Sequence, residues 1–195
     1  MPLICRGLAL VLVCLCAACI DTRGAKQSLM VRGDASRVTL DPVAATSMVS
    51  AYREGSGLPA VRLDPKLNAM AQVQAEAMAR RGVVSHDAAG PFRRRLDEAG
   101  IAATGAAENI AAGYFSLDAA MTSWKTSPAH NKNLLLPKAT RFGIALAKAP
   151  GSGYQTYWAM VVAADPPPPD AVASLPAGPV VVQRVTMPFA SLFSP

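Results

Sequence analysis

A chain of 195 residues with 51% hydrophobic and 16% charged side chains is long enough for one ordinary domain and too apolar for intrinsic disorder. Its net charge of +6 is scattered, with only Arg80-Arg81 and Arg93-Arg94-Arg95 as basic runs and no aromatic stripe between them, so a nucleic-acid partner is not expected. The 4 cysteines, Cys5, Cys14, Cys16 and Cys19, all precede the main body of the chain, which therefore has no internal disulfide and must be held by packing.

Residues 1–18 read as an export signal. Arg6 is followed by the apolar run G-L-A-L-V-L-V-C-L and then by the small-residue segment C-A-A-C, a pattern of signal-peptide length rather than membrane-spanning length. Leu15-Cys16-Ala17-Ala18-Cys19 resembles a bacterial lipobox, which would lipidate Cys19 and make it the new N-terminus. The place three before Cys19 is Cys16 where such boxes carry leucine, and plain cleavage after Ala18 is the alternative. Either way Arg6 is lost, leaving 18 basic against 13 acidic side chains, a net of +5. Residues 19–40 are polar and aperiodic and read as a tether.

The domain is expected over 41–165. Asp41-Pro42 supplies an N-cap and a proline at the first helical position, and Val43, Met48, Val49 and Tyr52 offer an apolar face before Gly55 and Gly57. Asp64-Pro65 repeats the start signal. Leu67, Met70, Ala71, Gln74, Met78 and Arg81 follow at helical spacing, and Gly82 stops the run. The chain then enters V-V-S-H-D, with His86 on a loop or short strand.

Gly90-Pro91 opens a short helix, F-R-R-R-L-D-E-A, closed by Gly100. Its three consecutive arginines fan around the helix, so at most one or two can face a single partner, and a solvated face paired to Asp97 and Glu98 is the plain expectation. From 101 to 113 a loop is expected, with a short strand around 108–110. Ser116 caps a further helix, L-D-A-A-M-T-S-W, and Ser127-Pro128 starts another turn, A-H-N-K-N-L-L, that stops before Pro137. Ser127 stands three positions before His130, so a serine nucleophile is conceivable, but its place before proline favours an N-cap role.

The period then changes to two. Residues 141–148 and 155–163 read as strands joined by the glycine-rich A-P-G-S-G-Y, a hairpin. Helices first and an antiparallel sheet last argue an α+β layered fold, with Trp124 and Trp158 in its core. Residues 166–195 form a proline-rich tail, either an added edge strand or loose chain.

These residues together resemble the CAP superfamily of cysteine-rich secretory, antigen 5 and pathogenesis-related proteins (SCP domain), in its disulfide-free bacterial form. The resemblance rests on L-D-P-K-L-N-A-M-A-Q-V-Q-A-E-A-M-A, V-V-S-H-D, A-E-N-I-A-A-G, W-K-T-S-P-A-H-N-K-N-L-L and R-F-G-I-A-L, in that order. It implies a three-layer α-β-α sandwich with a small antiparallel sheet. It also implies a cleft in which His86 is the first histidine, Glu108 the acidic residue of E-N-I and His130 the second histidine. Two departures stand out. After Trp124, where the family pattern has another glutamate, this chain has Lys125, Thr126 and Ser127, and Ser50 stands where many relatives have asparagine.

Two imidazoles and a carboxylate are a donor set for Zn²⁺ or another divalent ion, with His86 and His130 as ligands and Glu108 as a third. No short ligand spacing such as H-E-x-x-H occurs. The expected function is an exported, lipid-anchored envelope protein, held to the membrane through Cys19, whose cleft binds an apolar or other envelope ligand such as a lipid. A metal-dependent, peptidase-like hydrolase with Glu108 as the catalytic base is one alternative. A module that binds a partner through its tail is the other.

Overall fold

The computed structural model describes residues 33–166. The segment read as an export signal, Cys19 with its expected lipidation, most of the expected tether and the tail from 167 onward lie outside the described residues. After a short 3-10 turn at Ala35–Arg37, the order is α1 (Pro42–Glu54), β1 (Arg62–Leu63), α2 (Pro65–Arg81), α3 (Phe92–Glu98), β2 (Gly105–Ala112), α4 (Leu117–Thr126), α5 (Pro128–Leu134), β3 (Ala139–Ala149) and β4 (Gln155–Ala164).

Both Asp-Pro starts form as the sequence indicates. The Asp41 carboxylate accepts from the amides of Val43 and Ala44, and Asp64 accepts from those of Lys66 and Leu67, so the first orphan donors of α1 and α2 are satisfied. Gly82 ends α2 at φ 66°, a left-handed position that glycine reaches without a Cβ penalty. The inward face of α1 is Ala45, Val49 and Arg53; Val43 instead points outward, 64% exposed.

Strand order in the sheet is β1-β3-β4-β2. The β3–β4 hairpin and the β2–β4 pair are antiparallel, whereas the two-residue β1 lies parallel to β3 through Arg62↔Arg141 and Leu63↔Phe142. The sheet is therefore mixed, not purely antiparallel, and β2 is a full strand rather than a short segment within a loop.

Alternation along β4 builds the layers. Tyr157, Ala159, Val161 and Ala163 pack under α2 and α3 with Leu67, Met70, Met78 and Leu96. Trp158, Met160 and Val162 pack on the opposite side with Val49, Met121, Trp124 and Leu134, from α1, α4 and α5. Because β4 is apolar on both faces, helices must cover both, and the α-β-α sandwich follows. At Gly143 the sheet touches α2 so closely that a Cβ would lie 2.3 Å from the Leu67 carbonyl carbon and the Asn68 amide nitrogen. Asn68 then uses its side-chain oxygen to accept from the Ile144 amide, tying helix to strand.

Two buried arginines complete the frame. Arg53 donates to the carbonyls of Pro59, Leu134, Leu136 and Ala139, gathering the ends of α1, α5 and β3 around one guanidinium. Arg141 pairs with Asp64 at 3.2 Å and Asp165 at 2.7 Å and donates to the Ala102 carbonyl, so the start of α2 and the end of β4 are joined. Ser50 bridges α1 to the chain entering β1, donating to the Val61 carbonyl and accepting from the Val61 amide.

Candidate functional site

The site is built on β2, the edge strand. Ile110 belongs to the α2–α3 side of the core and Ala111 to the α4–α5 side, so by alternation Glu108 faces α2 and α3 while Asn109 faces α4 and α5. The dipeptide Glu108-Asn109 thus sends one polar side chain into each layer.

Glu108 is buried, and both of its side-chain oxygens accept hydrogen bonds. Its Oε1 accepts from His86 Nδ1 at 2.8 Å and from Arg95 Nη2 at 3.0 Å, and its Oε2 accepts from Arg95 Nη1 at 2.8 Å. The side chains of Arg95 and Glu108 are 4% and 2% exposed, which makes this a buried bidentate ion pair. Arg95 also donates from Nε to the Gly90 carbonyl and from Nη2 to the His86 carbonyl. The His86 loop is gripped from a second side by Gln74 of α2, whose amide donates to the carbonyls of Ser85 and His86 and accepts from Ala89.

Arg95 is therefore a central residue that counting charges does not find. Of the three arginines, Arg93 pairs with Asp97 and Arg94 with Glu98 on the surface, as the solvated-face expectation has it. Arg95 departs from it. Its signal was its phase: Phe92, Arg95 and Leu96 share the inward face of α3, so a cation at that position must find an acceptor.

His86 is half-exposed, with Nδ1 donating to a carboxylate, which fixes the tautomer and leaves Nε2 without a hydrogen bond among the described residues. The hydrogen bond to Glu108 raises its pKa above 6.5, against opposing effects of burial and of the Arg95 charge. His130 is on α5 and its ring makes no hydrogen bond among the described residues; burial first and His86 second push its pKa below 6.5. Its backbone carbonyl accepts from Asn109 Nδ2 at 2.9 Å, and Asn133 donates to both the Glu108 carbonyl and Asn109 Oδ1.

The structure thus joins His86 directly to Glu108 and brings His130 to the same stretch of β2 from the opposite layer. It does not gather the three into one ligand set: among the described residues no group of three His, Cys, Asp or Glu is arranged to hold a metal ion. Both Glu108 oxygens are occupied and a guanidinium sits beside them, so a cation there would face a fixed positive charge. A three-ligand divalent site does not fit these residues.

The segment after Trp124 brings one correction and one added contact. Ser127 begins α5, but its hydroxyl makes no cap hydrogen bond. Lys125, in the place of the family's glutamate, lies with its Nζ 4.7 Å from the centre of the Tyr52 ring, and Tyr52 donates to Asn131 Oδ1. Trp124 is fully buried, and its Nε1 donates to the Ile110 carbonyl. Together with Asn133 on the Glu108 carbonyl, it covers outward acceptors of β2 that a bare edge would expose.

Two grooves flank the cluster. One, of about 390 Å³, runs between α2 and α3 over Ala69, Met70, Val73, Ala89 and Ala99, and Arg95 forms part of its wall. The other, of about 310 Å³, lies at the far end of β2 and includes His130.

Residues 46–162 match the CAP family, described as the cysteine-rich secretory protein family. Among solved structures, an extracellular protein with an SCP domain from Bacillus anthracis aligns at TM-score 0.56 and 24% identity over 64% of this chain and 40% of that one. An outer surface protein of Borrelia burgdorferi aligns at TM-score 0.56 and 17% identity, over 62% of this chain and 90% of its own. A cysteine-rich secretory protein of Staphylococcus aureus aligns at TM-score 0.51 and 19% identity, over 62% and 37%. This chain therefore corresponds to well under half of the first and third of these proteins. No curated protein sequence matches it.

Proposed function

The chain belongs to the CAP, or cysteine-rich secretory protein, family, and on that premise we propose that it is an exported bacterial envelope protein, anchored through a lipid on Cys19, that binds an apolar ligand beside its His86–Glu108 cluster. The observation that carries the reading is Arg95. One face of this side chain lines the α2–α3 groove, and its guanidinium holds Glu108 and the His86 loop. A ligand seated on Ala69, Met70 and Val73 would lie against the residue that orders the cluster. Val73 is already exposed in a groove with little polar surface, a setting that favours burial of an acyl chain or similar body. The export signal and the extracellular or outer-surface origin stated for the Bacillus and Borrelia proteins support the location.

The geometry gives less support to hydrolysis with Glu108 as base. A general base needs a free oxygen within reach of the proton it takes, and both Glu108 oxygens already accept hydrogen bonds, one of them from His86. The binding reading is tested by titrating the purified protein with a fluorescent fatty acid. Saturable binding that Val73→Arg abolishes supports it, whereas absence of binding, or binding indifferent to Val73→Arg, refutes it. Cys19→Ser should release the protein from the membrane fraction if the anchor is as proposed.

A further inference from the structure

The groove at His130 differs in chemistry from the apolar groove between α2 and α3. Antiparallel pairing sends the Gly113 amide to the Thr156 carbonyl, while the Glu108 and Ile110 carbonyls point away from β4 and are taken by Asn133 and Trp124. Ala112 has the parity of Glu108 and Ile110, so its N–H and C=O also point outward, at the edge of the sheet. Unlike theirs, its carbonyl meets no side chain among the described residues. The groove is lined there by Ala112, Tyr114, Ser123, Ser127 and His130.

Each of these groups has hydrogen-bonding capacity left over. The Ser127 hydroxyl makes no cap bond and the His130 ring makes no hydrogen bond to the described residues. Ser123 donates to the Ala120 carbonyl, which leaves its oxygen able to accept. Tyr114, partly exposed, contributes an aromatic ring with a polar tip. No acidic or permanently cationic side chain lines the groove.

We propose that this groove binds an N-acetylated sugar. A neutral lining disfavours phosphates, carboxylates and amines, whose charge would be desolvated without a partner. Hydroxyls and an imidazole match ring hydroxyls, which both donate and accept. The outward peptide edge of Ala112 matches an acetamido group, since an N–H and a C=O side by side pair with another amide in the manner of one ladder step. The volume of about 310 Å³ suits a ligand of about one ring rather than an extended polymer segment.

The test is an amide-resolved NMR titration of the protein with N-acetylglucosamine and, separately, with glucose. Saturable shifts confined to the neighbourhood of Ala112, Ser127 and His130 are expected, with glucose at least ~10-fold weaker because it leaves the Ala112 edge unpaired. Ser127→Ala and Ala112→Pro should each weaken binding at least ~5-fold, the loss of one hydrogen bond. Proline at an outward edge position removes only the unpaired N–H, and Ser127→Ala stands alone if that variant folds poorly. Val73→Arg, in the other groove, should leave the sugar affinity unchanged and so separates this site from the apolar one. No saturable shift, equal affinity for glucose, or shifts that Ser127→Ala leaves intact would each overturn the assignment.

Discussion

Replacing Arg95 with methionine keeps the length and apolar stem of the side chain and removes five N–H donors. Four hydrogen bonds are lost, two to Glu108 and one each to the carbonyls of Gly90 and His86. The apolar stem can keep its place beside Phe92 and in the wall of the groove, so the loss is mainly electrostatic. Removing one partner of a buried pair typically destabilises by about 3–5 kcal/mol, because the other charge stays in the interior without compensation. That is a large share of a total stability of about 5–15 kcal/mol. Urea denaturation should show a lowered midpoint with an unchanged slope. The decisive measurement is a double-mutant cycle with Glu108→Leu, which removes the stranded carboxylate as well. The double variant should be at least ~2 kcal/mol more stable than the sum of the single losses predicts. Additivity within ~0.5 kcal/mol, or an Arg95→Met loss below ~1 kcal/mol, would refute the claim that this pair organises the site. Arg93→Ala and Arg94→Ala, on exposed pairs, should each stay within ~0.5 kcal/mol of the parent.

Histidine NMR titrations should place the His86 midpoint above 6.5 and that of His130 below it, and Glu108→Gln should bring His86 down. A raised folded-state pKa means that His86 contributes stability at pH values below 6.5 and loses it as pH rises through the folded midpoint. The stability gap between the parent and His86→Gln should therefore be widest in acid and close above that midpoint; a gap that widens with pH would contradict the contact. His130 has the opposite sign, so His130→Gln should relieve destabilisation as pH falls through 6.5. Gly143→Ala should destabilise by more than ~2 kcal/mol in urea, since the added methyl meets the α2 backbone rather than a movable side chain, and a neutral outcome would show that α2 can lift off the sheet. Zinc should give no saturable rise in melting temperature; a rise that His130→Ala removes would restore a metal site.

Much of the fold was legible because its signals are local. Each Asp-Pro pair, Gly82 and the two-residue period of the hairpin act within a few residues of where they stand, and the corresponding elements form there. Strand β1 was not legible. It has two residues and no period of its own, and it exists only because β3 offers an edge to pair with. The buried polar residues were readable only through helical phase. Ala45, Val49 and Arg53 fall on one face of α1, Leu67, Met70, Gln74 and Met78 on one face of α2, and Phe92, Arg95 and Leu96 on one face of α3. In each case a polar side chain occupies a core position, and in each it binds backbone carbonyls of another segment. A charge in phase with apolar neighbours marks a buried organiser, whereas its composition alone marks a surface.

The same alternation explains how residues expected in one cleft approach β2 from two different layers. Family resemblance placed His86, Glu108 and His130 in a single cleft, with no information about the layer from which each would approach β2. In a strand, adjacent side chains must point to opposite faces. Once Ile110 is committed to the core under α2 and α3, Glu108 can reach only Arg95 and His86, and Asn109 only the backbone of His130 and the amide of Asn133. The Glu108 carboxylate is therefore committed to Arg95 and His86, and turning it to the opposite face would take a one-residue slip of β2. Such a slip would carry Ile110 out of the core and break eight registered pairs with β4. The edge strand thus carries the Arg95–Glu108 pair and the largely apolar groove toward one layer and the neutral hydrogen-bonding groups of the His130 groove toward the other.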